Sequence, residues 1–209
     1  MQVARSSWAR GWRSDEPYGP PPRRGIRCSV VRALASSVPV TSTGRAIPPM
    51  NADERTTLES WLDFYRATLA LKCEGLDDEQ VRTASAPPST MTLLGLLQHV
   101  AEVERNWFRR VLAGELAPSI YGPREHPEGH DGGFEVSVHA SYRSAADIWH
   151  EEIRHARANC AARELDDTSP FMDGAVSLRW IYTHMIGEYA RHCGHADLIR
   201  ERIDGATGV

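Results

Sequence analysis

The sequence predicts an all-α protein, a four-helix bundle with one long crossover connection. Three observations lead there. From residue 52 onward, apolar residues recur at helical spacing in four separate stretches. No stretch shows the strict alternation of a convincing strand. One connection, residues 115–142, is long, rich in Gly, Pro and His, and without periodicity. A segment of that kind reads as a crossover or as a loop over a site.

The first helix is expected over residues 53–73, with Leu58, Trp61, Leu62, Tyr65, Leu69 and Leu71 on its apolar side and Gly75 after its end. A turn-rich piece follows, including Ala86-Pro87-Pro88-Ser89. The second helix is expected over residues 92–112. Leu93, Leu96, Leu97, Val100, Val103, Trp107 and Val111 form its apolar face, and Gly114 suits a C-terminal stop. The third is expected from Ser144, with Asp147 completing a capping box, to about residue 164. The fourth covers residues 177–203 and ends near Gly205. No internal repeat indicates a solenoid.

The first fifty residues differ from the rest. They are rich in Arg, Ser and Pro, and such composition buries too little surface to offset chain entropy. Residues 1–50 are therefore expected to be a disordered extension or a mis-assigned start, and 51–209 the helical domain. The net charge of −4 hides an asymmetry: eight Arg against Asp15 and Glu16 give the extension about +6, leaving about −10 on the domain. That balance argues against a nucleic-acid partner. No apolar run approaches the roughly 18 residues of a membrane span. Lys72 is the single lysine, which reads as coding bias. Cys28, Cys73, Cys160 and Cys193 form no CxxC pair, so neither a zinc ribbon nor a redox motif is expected. Reduced cysteines fit a cytoplasmic setting. Cys193 reads as a packing residue.

The chemistry concentrates in the last helix. His184, Glu188 and His192 are spaced i, i+4, i+8 and stack on one side, and His195 stays near it. The stripe Ile181, Met185, Glu188, His192, His195 and Ile199 is half ionisable. Burying a carboxylate and two imidazoles is costly without partners, and a divalent cation compensates all three. His99, on the second helix, reads alone as a hydrogen-bonded core residue. Taken with the Glu188/His192 pair, it completes three protein ligands with a fourth position for water or substrate, as in catalytic zinc sites.

Residues 52–208 resemble the DinB-like (YfiT-like) superfamily of metal-binding helical bundles, and within it a large bacterial group of unknown function. The likeness is carried by Thr92-Leu-Leu-Gly95-Leu-Leu-Gln98-His99-Val-Ala-Glu102-Val-Glu104-Arg105-Asn-Trp107-Phe108. A second block runs from Ser177-Leu-Arg-Trp180-Ile181 through His184, Glu188 and His192-Cys-Gly-His195-Ala-Asp197. Many members bind a divalent metal through three histidines, the last two as HxxxH. Here Glu188 stands at the first of that pair, as in the related mycothiol-dependent maleylpyruvate isomerase, which uses a His, Glu, His set.

The resemblance implies His99, Glu188 and His192 as metal ligands, with zinc foremost and nickel or another divalent ion as alternatives. His195 is assigned to proton transfer, and His184 to supporting a ligand or replacing one. Glu102 reads as a hydrogen-bond partner or an addition to the site, Glu104 and Arg105 as a solvated or inter-helix pair. His126, His130 and His139 are treated as loop residues. Characterised relatives imply a thiol S-transferase using mycothiol or bacillithiol and an electrophile. The isomerase relative carries a further C-terminal domain that this chain is expected to lack. Two alternatives stand: metal-assisted hydrolysis, and a non-catalytic, stress-associated metal-binding bundle. A homodimer is expected; Trp61, Trp107, Trp149 and Trp180 suit either core or interface.

Overall fold

Helices dominate the computed structural model, which describes residues 39–121 and 132–208. Within the described residues run helices α1 (Glu54–Cys73), α2 (Asp78–Val81), α3 (Leu93–Glu104), α4 (Tyr142–Ala161) and α5 (Leu178–Asp204). A π-helical segment, Arg105–Val111, continues α3, and strands β1 (Thr168–Phe171) and β2 (Gly174–Ser177) precede α5. α1 packs chiefly on α5, α3 on α4, and α3 also on α5. Their shared core includes Leu62 and Leu69 of α1, Leu93, Leu96, Leu97 and Val100 of α3, Trp149 and Ile153 of α4, and Ile181, Met185 and Tyr189 of α5. No described helix is long and apolar enough to cross a membrane.

Side-chain caps start the long helices. Asp53, Thr92, Ser141 and Ser177 each accept a hydrogen bond from a first-turn N–H, satisfying a donor that the helix leaves open. Gly205, at φ +79°, closes α5 in the left-handed conformation. The expected start of α4 at Ser144 is corrected: Ser141 is the cap, and the Ser144 N–H donates to its hydroxyl.

Two further expectations change. The second helix is not α-helical to its end, because its last seven residues widen into the π segment. The expected absence of strands is also corrected. β1 and β2 form an antiparallel hairpin pairing Thr168 with Ser177 and Phe171 with Gly174 across a two-residue turn. Ser169 of this hairpin is buried and donates to the Leu112 carbonyl, docking the hairpin on the end of the π segment.

Of the N-terminal extension, residues 39–50 are described. A turn closed by a Val40–Ala46 bridge lays Arg45 against α1, where it donates to Thr68 Oγ1 at 2.5 Å. The remainder of that extension, Cys28, His126 and His130 lie outside the described residues.

Candidate metal centre

α3 and α5 bring three ligand-type side chains together. One ligand atom each from His99, Glu188 and His192 lies within 4.8 Å of the others. His192 Nε2 is 3.4 Å from Glu188 Oε2, and the His99 and His192 rings meet edge-on with centroids 4.6 Å apart. The buried stripe of α5 meets this group only at His192. Ile181, Met185, Tyr189, His192, Ala196 and Ile199 are buried, so Tyr189 and Ala196 take the core positions expected of Glu188 and His195. Glu188 therefore sits at the edge of the core, with its side chain 17% exposed.

The described end of the long connection fixes His99. His99 Nδ1 lies 2.8 Å from the Gly132 carbonyl oxygen. A carbonyl only accepts, so Nδ1 carries the proton and a neutral ring keeps its lone pair on Nε2. Phe134 stacks on the same imidazole, 4.2 Å between centroids and 16° between planes. With its amide oriented to donate, Gln98 Nε2 reaches the carbonyls of Gly133 (3.1 Å) and Glu135 (3.2 Å). This close strap needs glycine. A Cβ at Gly95 would stand 2.7 Å from the Phe134 carbonyl oxygen, and Gly132 and Gly133 hold φ of +67° and +93°.

Burial, reinforced by the neighbouring His99 and His195 and opposed by Glu188, lowers the His192 pKa from 6.5 to about 4. Its imidazole is thus neutral near pH 7, the state that ligates metal. Burial also lowers the His184 pKa, against the pull of Glu188. Two imidazoles and one carboxylate suit a divalent cation. As three protein ligands, they match the donor count of a catalytic zinc site.

His195 Nδ1 lies 3.3 Å from His192 Nδ1, the nitrogen remote from Glu188. His184 Nε2 reaches Glu188 Oε1 at 4.0 Å, and its ring packs against both Trp107 and Trp180. Glu102 is engaged elsewhere, accepting from the Ile120 and Tyr121 N–H groups and pairing with Arg110. Glu104 and Arg105 do form inter-helix pairs, with different partners. Glu104 is fully buried against Arg66, and Arg105 pairs with Glu152. Cys193 is buried and burial raises its pKa to about 12, as befits a packing thiol.

The sequence reading missed the strap. Asp131-Gly132-Gly133-Phe134 carries a turn signal, but nothing in it points to His99. It also missed a buried chain across the helices: Arg66 clasps Glu104 with two 2.8 Å bonds, Tyr189 OH donates to Glu104 at 2.7 Å, and Trp149 Nε1 donates to Tyr189 OH at 2.8 Å.

No curated protein matches the chain. A family model described as mycothiol S-transferase matches residues 57–205, from the first turn of α1 past the end of α5. A match of that extent carries both helices of the triad, and the chain belongs to the mycothiol S-transferase family.

Proposed function

We propose that the protein is a metal-dependent S-transferase that joins a low-molecular-weight thiol, mycothiol by family, to an electrophile. The observation that carries this reading is the convergence of His99, Glu188 and His192 within a chain of this family. Those three residues would hold the ion, with zinc the best fit to the donor set. When bound, a divalent cation stabilises a thiolate over a thiol near neutral pH.

The chain's own residues do the rest. The Gly132 carbonyl and Phe134 hold the His99 ring in one tautomer and one orientation. His195 meets the far nitrogen of His192, which orients that ring, and it is our candidate acceptor for the thiol proton. In the transfer, the sulfur lone pair forms the new C–S bond and the leaving group departs with its bonding pair. The same reading takes the four long helices as a DinB-like four-helix bundle and includes a homodimer.

The test is turnover of a panel of electrophiles with and without mycothiol, before and after chelation of metal. Thiol-dependent conversion lost on chelation and restored by zinc is expected. Conversion that proceeds equally without thiol would replace the transferase reading with hydrolysis. No conversion across the panel would contradict both.

A further inference from the structure

Trp180, His184, Glu188 and His192 follow one another at four-residue intervals on α5, so they form a single row along the helix. One half of that row belongs to the ligand triad. The other half is aromatic. The Trp180 and His184 rings lie parallel, 4.9 Å apart with 7° between planes. Trp107 leans on both, at 4.5 Å from His184 and 5.2 Å from Trp180, and Phe171 backs Trp107 at 5.0 Å.

Three separate elements build this group. Trp107 comes from the π segment that continues α3, the helix of His99. Phe171 comes from the hairpin, and Trp180 from the first turn of α5, where its N–H donates to the Ser177 hydroxyl. Trp107 is buried, whereas Trp180 is 47% exposed. The result is a rigid indole with an open surface, supported from behind. Its neighbour Arg179 is held by Glu54 and Asp166, which directs recognition here to stacking rather than to charge. A fixed tryptophan offers large contact area at small entropic cost.

The shelf is continuous with the triad. His184 Nε2 is 4.0 Å from the Glu188 carboxylate. With about 1.5 Å of rise per residue, His184 lies about 6 Å and Trp180 about 12 Å from Glu188 along the axis. A ring seated on Trp180 needs a substituent that spans about that distance to meet the triad.

We propose that Trp107, Phe171, Trp180 and His184 form the acceptor subsite, which binds the flat, uncharged ring of an aromatic or conjugated electrophile. The role as acceptor subsite rests on the transferase reading above; the stacking itself does not. Binding is measured by calorimetry and saturation-transfer NMR with 2-naphthylmethanol, an unreactive flat probe, and with cyclohexylmethanol as the saturated control. Naphthylmethanol binds saturably, and cyclohexylmethanol binds at least about ten-fold more weakly. Trp180→Ala weakens naphthylmethanol about ten-fold, and Trp180→Phe by no more than about three-fold. Trp61→Ala, at a comparably exposed tryptophan of α1, leaves it unchanged.

Equal binding by wild type and Trp180→Ala, equal binding of the two alcohols, or no saturable binding overturns the shelf. The same samples are assayed for thiol-dependent turnover. Trp180-dependent binding without such turnover supports the stacking site and overturns the transferase reading. Thiol-dependent turnover with Trp180-independent binding overturns the shelf alone.

Discussion

At the scale of single residues, His192 bears the electrostatic cost of the site. Burial lowers its folded-state pKa to about 4 from an ordinary 6.5. As pH falls, the unfolded chain takes up the proton first, so this residue's contribution to stability is lost between about 6.5 and about 4. The metal-free protein is expected to lose thermal stability across that window, and His192→Gln to lose less of it. Melting curves at pH 7.5, 6 and 5 check this; identical pH slopes for the two proteins would contradict it.

The Glu188/His192 pair was legible in the sequence, because i, i+4 spacing places both on one side whatever the tertiary context. The partners of His99 were not. A carbonyl acceptor such as Gly132 O is a property of chain path, and no residue type announces it.

At the scale of elements, the stripes and caps of α1, α3 and α5 could be read directly. The start of α4 shows the limit: two serines three residues apart offered the same capping chemistry, and the first one caps. Ser141→Ala is expected to cost about 1 kcal/mol and Ser144→Ala much less. Denaturant titration decides, and the reverse order would restore the later start.

The hairpin was hidden because β1 is four residues long, contains Pro170, and turns through Met172 at φ +51° rather than through glycine. The π segment was hidden because its residues are ordinary helix residues. Between elements, the Arg66–Glu104–Tyr189–Trp149 chain joins α1, α3, α5 and α4. Glu104 has no solvent exposure, so Glu104→Ala strands the Arg66 guanidinium in the core. It is expected to cost about 3–5 kcal/mol by denaturant titration. A loss below 1 kcal/mol would show that the chain contributes little.

At the scale of the whole molecule, helical periodicity and the spacing on α5 carried most of the fold. What they could not show is how the ends of the long connection close on α3. The strap over His99 and the ties from Glu102 to residues 120 and 121 come from contacts distant in sequence. The strap fixes the His99 ring where α3 meets the Glu188 and His192 side chains of α5. The family match spans both helices that carry this group.

The central claim is that His99, Glu188 and His192 hold one divalent ion. Metal analysis of the purified protein, alongside His99→Ala and His192→Ala variants with matched circular dichroism, tests it most directly. About one ion per chain in the wild type and a near-complete loss in both variants is the predicted result. Unchanged metal content in both folded variants would contradict it.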